Sequence, residues 1–179
     1  RPALGDVRRQ FGVADLAQPQ IQLLSNSRYH VLLSQSGAGY SRWHQLALTR
    51  WRTDATTERY GLFCYLREVN SARTDSVTCQ PFGRRPELAE AEYRVIFSES
   101  RAEFSQCLPQ VSVQTEIVVS PEDDVELRRI RLTNHSYHPL TLDLTTYAEV
   151  VLAPLITDEL HPAFSNLFMQ TEIVAGLQT

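Results

Sequence analysis

An all-β fold, an antiparallel β-sandwich, is what the sequence predicts, and three observations predict it. The dominant hydrophobic period along the chain is two rather than 3.6. Its apolar runs are short and separated by turns rich in Gly, Pro, Asn and Asp. Helical patterning is weak, confined to one turn at Gly12–Leu16 and another at Pro86–Ala91.

Residues 1–20 are the least periodic and read as a lead-in segment, leaving residues 21–179 as the sandwich domain. Strands are expected at Tyr29–Gln35, Leu46–Trp51, Leu62–Val69 and Ser76–Gln80. The segment Pro81 to Pro86 interrupts pairing, because proline brings no N–H to a ladder. Tyr93–Ser98 and Ala102–Cys107 resume the strand pattern. Val111–Val119 alternates cleanly and ends at Ser120–Asp124, a Pro- and Asp-bearing turn. Val125–Leu132 alternates as well, but its phase slips between Arg128 and Arg129. That slip predicts a β-bulge, since one extra residue would return the apolar set to its face. Asn134–Pro139 then leads to Leu140–Tyr147, so residues 125–147 are expected to form a hairpin with a long connection. A last strand is expected at Leu167–Val174, leaving an unpaired edge. With Arg rather than Met at position 1, the chain reads as a piece of a larger polypeptide.

Composition narrows the function. A net charge of −4 argues against a general nucleic-acid binder. No apolar run reaches about 18 residues, so no membrane insertion by this segment is expected. All 17 basic residues are Arg, which excludes lysine Schiff-base and P-loop lysine chemistry within the chain. Cys64, Cys79 and Cys107 are widely spaced and lie among apolar or β-forming neighbours. They read as buried reduced thiols in a cytosolic setting rather than as a disulfide framework or zinc site.

The most unusual stretch is Val31–Trp43, where a strand runs into Gly37-Ala38-Gly39 and Tyr40, Ser41, Arg42 and Trp43 follow at once. Glycines permit a tight turn and close backbone approach. Aromatic faces stack on sugar C–H bonds, and Arg supplies donors for hydroxyls. Gly37, Gly39, Tyr40, Ser41, Arg42 and Trp43 are therefore the candidate substrate-binding residues, against an equal reading as a hairpin whose aromatics are core. The Gly-Ala-Gly spacing is not a dinucleotide fingerprint. Glu122, Asp123 and Asp124 read as a solvated turn. His30, His44, His135, His138 and His161 lack metal-ligand spacing. Ser36, Ser41 and Ser165 lack a nucleophile-elbow context, and Arg128, Arg129 and Arg131 read as a surface salt-bridge ladder. No catalytic residue, metal or cofactor is assigned.

Several motifs carry a resemblance in their order: Gln22–His30, Gly37–Trp43, Leu48–Asp54, Ser120–Glu126, Thr146–Pro154 and His161–Ser165. Together they resemble the N-terminal supersandwich of the phosphorylases of glycosyltransferase family 36, now glycoside hydrolase family 94, above all the copy within bacterial cyclic β-1,2-glucan synthases. Ala38 and Ser27 depart from that pattern, standing where glycine is frequent, and a positive φ at either would be strained. The resemblance implies a galactose-mutarotase-like sandwich that is non-catalytic. It would serve as scaffold, as domain or homodimer interface, and as a supplementary contact for β-glucan, β-1,2-linked by the same comparison. A downstream (α/α)6 barrel would carry the catalysis. The resemblance also implies a cytoplasmic location, with the parent attached to the inner membrane through other domains. The alternatives are a free-standing carbohydrate-binding module and a purely structural dimerisation domain.

Overall fold

The computed structural model describes residues 7–12, 18–52, 59–78 and 93–173. Its strands are β1 (Arg9–Phe11), β2 (Ile21–Ser25), β3 (Tyr29–Ser34), β4 (Gly39–Trp43), β5 (Leu46–Thr49), β6 (Leu62–Glu68) and β7 (Thr74–Ser76). They continue with β8 (Tyr93–Phe97), β9 (Ala102–Cys107), β10 (Val111–Val119), β11 (Glu126–Asn134), β12 (Leu142–Ala148) and β13 (Val150–Pro154). Two short helices follow, α1 (Leu155–Leu160) and α2 (Pro162–Asn166). Antiparallel pairing makes three sheets: β1-β8-β9-β10-β11, β12-β6-β7 and β13-β5-β4-β3-β2.

Alternation explains how the sheets stack, because every second side chain of a strand points to one face. Val31 and Leu33 of β3 and Leu24 of β2 pack against Val95, Phe97, Phe104 and Ile117 of the first sheet. Cys64 and Leu66 of β6, with Val77, pack against Leu108, Val111 and Val113 at the other end of that sheet. The first sheet is thus one layer, and the other two sheets share the opposite layer. Phe97 and Phe104 meet edge to face at 6.2 Å in the centre of the first cluster. The expected all-β antiparallel architecture is the one observed.

Four expectations are corrected. No bulge falls between Arg128 and Arg129: β11 pairs with β10 in unbroken register from Glu126↔Val119 to Asn134↔Val111. The apparent slip arises because Glu126 and Arg128 point inward as an ion pair while Leu127 points out, 57% exposed. The real register shift lies between Val150 and Ala153 of β13. Residues 125–147 are not a hairpin: β11 pairs with β10, whereas β12 pairs with β6. Nor do the described residues of the expected last strand, 167–173, form one. Leu167 and Phe168 form a turn after α2, residues 169–173 have no regular structure, and Val174 lies outside the described residues. Cys107 is exposed, whereas Cys64 is buried as expected.

Smaller differences complete the comparison. The strand expected at Ser76–Gln80 ends at Ser76, and Gln80 lies outside the described residues. Cys79, the Pro81–Pro86 segment and the turn at Pro86–Ala91 lie outside them too, as do residues 13–16 of the turn at Gly12–Leu16. Within residues 1–20, Arg9–Phe11 pairs with β8 as an edge strand. Strands β2 and β13 and both helices were not anticipated, and β4 (Gly39–Trp43) was foreseen only in the alternative hairpin reading.

Candidate functional site

The glycine turn is shaped by its own chain. Ser34 N–H donates to Ala38 O at 2.7 Å, Gly37 N–H to Ser34 O at 3.0 Å and Gly39 N–H to Tyr60 O at 2.8 Å. Gly37 has φ +90°, and a Cβ there would lie 2.5 Å from Thr78 Oγ1. Gly39 has φ +156°, and a Cβ there would lie 1.8 Å from Leu32 O. Both positions require glycine because protein atoms already fill the space a side chain would take. Gly37, Ala38, Gly39 and Ser41 are all buried.

The remaining candidates divide between the two faces of β4. Tyr40 and Arg42 lie on the outer face, as their pairing with Leu32 and His30 requires. Tyr40 meets Trp51 edge to face at 5.7 Å. Arg42 folds back onto the next turn, its Nε donating to His44 O at 2.7 Å and its Nη2 to Gln45 Oε1 at 2.7 Å. Ser41 points inward, and Trp43 reaches the rim on the inward side, 39% exposed. The six residues therefore do not converge on one surface. Trp43 is the one with a large open aromatic face.

Its surroundings were not legible from spacing. Trp43 Nε1–H donates to Asp124 Oδ2 at 2.7 Å, and Arg28 Nε donates to Asp124 Oδ1 at 2.7 Å. The indole hydrogen bond first, then the guanidinium, hold the Asp124 carboxyl below the ordinary carboxylate range. Asn26 ties the two loops together, its Nδ2 donating to Ser120 O and Asp123 O and its Oδ1 accepting from Arg28 and Tyr29 N–H. Ser27 between them has φ +73°, the positive φ that a non-glycine residue holds at a cost on the order of 1 kcal/mol. The turn at Glu122–Asp124 is exposed, as expected, yet Asp124 is held by named donors. His44 lies edge to face against Trp43 at 4.9 Å, completing an aromatic and charged rim at one end of the sandwich.

Behind the rim lies a polar centre inside the sandwich. Glu126 Oε2 accepts from Ser41 Oγ and, at 3.2 Å, from the Tyr29 hydroxyl. Arg128 Nε donates to Glu126 Oε1 at 2.6 Å, and its Nη1 donates to Leu62 O at 2.7 Å. Burial, aided by the Glu126 charge, pushes the Tyr29 phenol up to about 12. A second clamp holds α1: Asp158, fully buried, pairs with Arg50 at 3.2 Å and Arg52 at 2.5 Å. Arg50 also reaches Glu149 at 2.9 Å. Burial opposes the Asp158 charge, but Arg52 and Arg50 outweigh it and hold the carboxyl low. Among the other candidates, His135 Nε2 shares a hydrogen bond with Ser112 Oγ at 2.6 Å, and Phe164 is exposed against Phe168.

Comparison with known proteins follows the same lines. The family model for the supersandwich domain of glycosyl hydrolase 94 matches residues 6–179. Cyclic beta-(1,2)-glucan synthase NdvB of Rhizobium meliloti (strain 1021) is 35% identical over 175 residues, 90% of this chain and 6% of that protein. The N,N'-diacetylchitobiose phosphorylases of Vibrio furnissii and Vibrio proteolyticus are 25% and 23% identical, each over 91% of this chain and 20% of the relative. The chain spans a small part of the length of each.

Proposed function

The chain belongs to the glycosyl hydrolase 94 supersandwich family, and we propose that it serves a carbohydrate-active polypeptide as a non-catalytic domain that packs against another part of it and adds a contact for β-glucan. The observation that carries the glucan contact is Trp43: an indole exposed at the rim, its N–H fixed on Asp124, with His44 beside it and Arg28 held on Asp124 and on Glu122 O. Gly37 and Gly39 contribute by shaping β4 and delivering Trp43 to that rim, not by touching sugar. The likeness to a cyclic beta-(1,2)-glucan synthase favours a β-1,2-linked ligand. The bond-breaking group is then supplied by a separate part of the polypeptide, an (α/α)6 barrel in this reading. The reading includes a cytoplasmic location, with the polypeptide held at a bacterial inner membrane by other domains.

A second observation supports the packing role. Ile21, Leu23 and Val150 are exposed on the outer face of the β13-β5-β4-β3-β2 sheet, and Leu152, Ile156 and Leu160 are exposed beyond its β13 edge. The group at the β13 edge, Val150, Leu152, Ile156 and Leu160, is the part that suits a packing partner.

Titration of linear β-1,2-glucan into the chain and its Trp43→Ala variant tests the contact. The expected result is a loss of about tenfold in affinity, equivalent to about 1.4 kcal/mol, in a variant that still unfolds cooperatively, at a temperature lowered by the lost indole hydrogen bond to Asp124. Equal affinity for the two proteins would refute the contact, and so would an absence of glucan binding both here and in the polypeptide that carries the chain.

A further inference from the structure

The outer face of the first sheet carries a feature that the glucan reading does not use. Arg94 of β8 pairs with Ser105 of β9, Ser105 with Gln114 of β10, and Gln114 with Arg131 of β11. These four residues make one row straight across the sheet, and all face outward, because their strand neighbours Tyr93, Val95, Phe104, Val113 and Thr115 are buried. The next row is Ile96, Glu103, Glu116 and Arg129. Its two carboxylates are taken: Arg101 pairs with Glu103 at 2.8 Å and with Glu116 at 3.0 Å, and Arg129 also pairs with Glu116. The first row has no carboxylate. Arg94 and Arg131 make no ion pair or side-chain hydrogen bond among the described residues.

The two rows line a concavity of about 260 Å³. Four guanidiniums, of Arg94, Arg101, Arg129 and Arg131, face the two carboxylates there, a local excess of two positive charges on a chain whose net charge is −4. Strands lie about 4.8 Å apart, so the backbones of Arg94 and Arg131 are about 14 Å apart, with Ser105 and Gln114 as the floor between them. Arg94 and Arg131 both line the concavity, one from each side of that floor, and can present forked donors to a group seated on it. A hydroxyl and an amide supply further donors from below.

We propose that Arg94 and Arg131 bracket a phosphoryl dianion seated over Ser105 and Gln114. A guanidinium fork matches a pair of phosphate oxygens, and two forks approaching from opposite sides suit a tetrahedral group with several oxygens better than a planar carboxylate. A neutral glycan fits the face poorly, since the residues lining it present no open aromatic ring for a sugar to stack on. The phosphoryl group comes either from free phosphate or from a phosphate ester.

The test is an NMR titration of the chain with inorganic phosphate, with glucose 1-phosphate and with glucose. The expected result is saturable shifts confined to the amides of residues 94, 105, 114 and 131 and to the Nε–H signals of Arg94 and Arg131, with no response to glucose. Tighter binding of glucose 1-phosphate identifies an ester as the ligand, and equal binding identifies free phosphate; both uphold the site. Arg94→Lys with Arg131→Lys keeps the charge but removes the forks, and is expected to weaken binding by about tenfold. Shifts that grow linearly without saturating, shifts centred elsewhere, or undiminished affinity in the double lysine variant would overturn the proposal. The wild-type shift map decides the matter even if the variant fails to fold.

Discussion

Arg128 and Arg129 are neighbours on β11 and each pairs with a glutamate, yet they live in different media. Arg128 is 13% exposed and its partner Glu126 10%, inside the sandwich. Arg129 is 69% exposed and its partner Glu116 22%, on the outer face. The inner pair is built into a network: Ser41 and Tyr29 complete the hydrogen bonding of Glu126, and Leu62 O accepts from Arg128. It joins β3 and β4 of one sheet, β6 of another and β11 of the opposing layer. Removing one member strands a charge out of water, which is costly. The outer pair can exchange its partner for solvent at little cost. The same chemistry on adjacent residues thus fastens the layers in one case and forms a solvent-exposed surface pair in the other.

The sharpest way to break this contrast is Glu126→Ala. It leaves Arg128 buried without its carboxylate, and the expected loss is about 3 kcal/mol in the free energy of unfolding, read from denaturant midpoints. A loss below about 1 kcal/mol would mean that water reaches the pair and that the two media are not distinct.

An intermediate effect is expected at alkaline pH. The Tyr29 phenol is raised from 10.0 to about 12 in the folded protein. Its contribution is therefore fully present below the unfolded value of 10 and is lost as pH rises through the folded value. Melting temperatures should fall between about pH 10 and 12, and Tyr29→Phe should remove that part of the fall. An identical alkaline profile for the two proteins would contradict the assignment.

The smallest effect belongs to the outer ladder. Arg129→Gln should change stability by no more than about 0.5 kcal/mol, because Arg101 remains on Glu116 and the site is open to water. A larger loss would place the outer ladder with the inner network.

Much of the strand pattern was legible. Ala102–Cys107 and Val111–Val119 were readable to the residue, because their inward positions are mostly apolar, Ala102 and Phe104 in one and Val111, Val113 and Ile117 in the other, and alternate with polar outward ones. β11 misled for the opposite reason, since its inward set contains Glu126 and Arg128, and alternation counts only apolar residues as inward. The final strand misled because Leu167 and Phe168 are exposed, so their hydrophobicity reports no core within this chain. At the candidate site the sequence pointed to Trp43 and to the demand for glycine at 37 and 39. The close backbone approach expected at the glycines is made by Thr78 and Leu32 O. Asp124, the partner that orients the indole, stands 81 residues away and in another loop, beyond the reach of any local pattern.

By itself the amino-acid order determined the two-residue period and the turns, because these follow from dihedral preference and from which neighbours share a face. Tertiary structure alone decided which arginine is sealed in and which stands open, which carboxylate meets Trp43, and which strands pair. Those outcomes depend on distances between residues far apart in the chain, and Coulomb and hydrogen-bond energies act on distance and burial rather than on sequence separation.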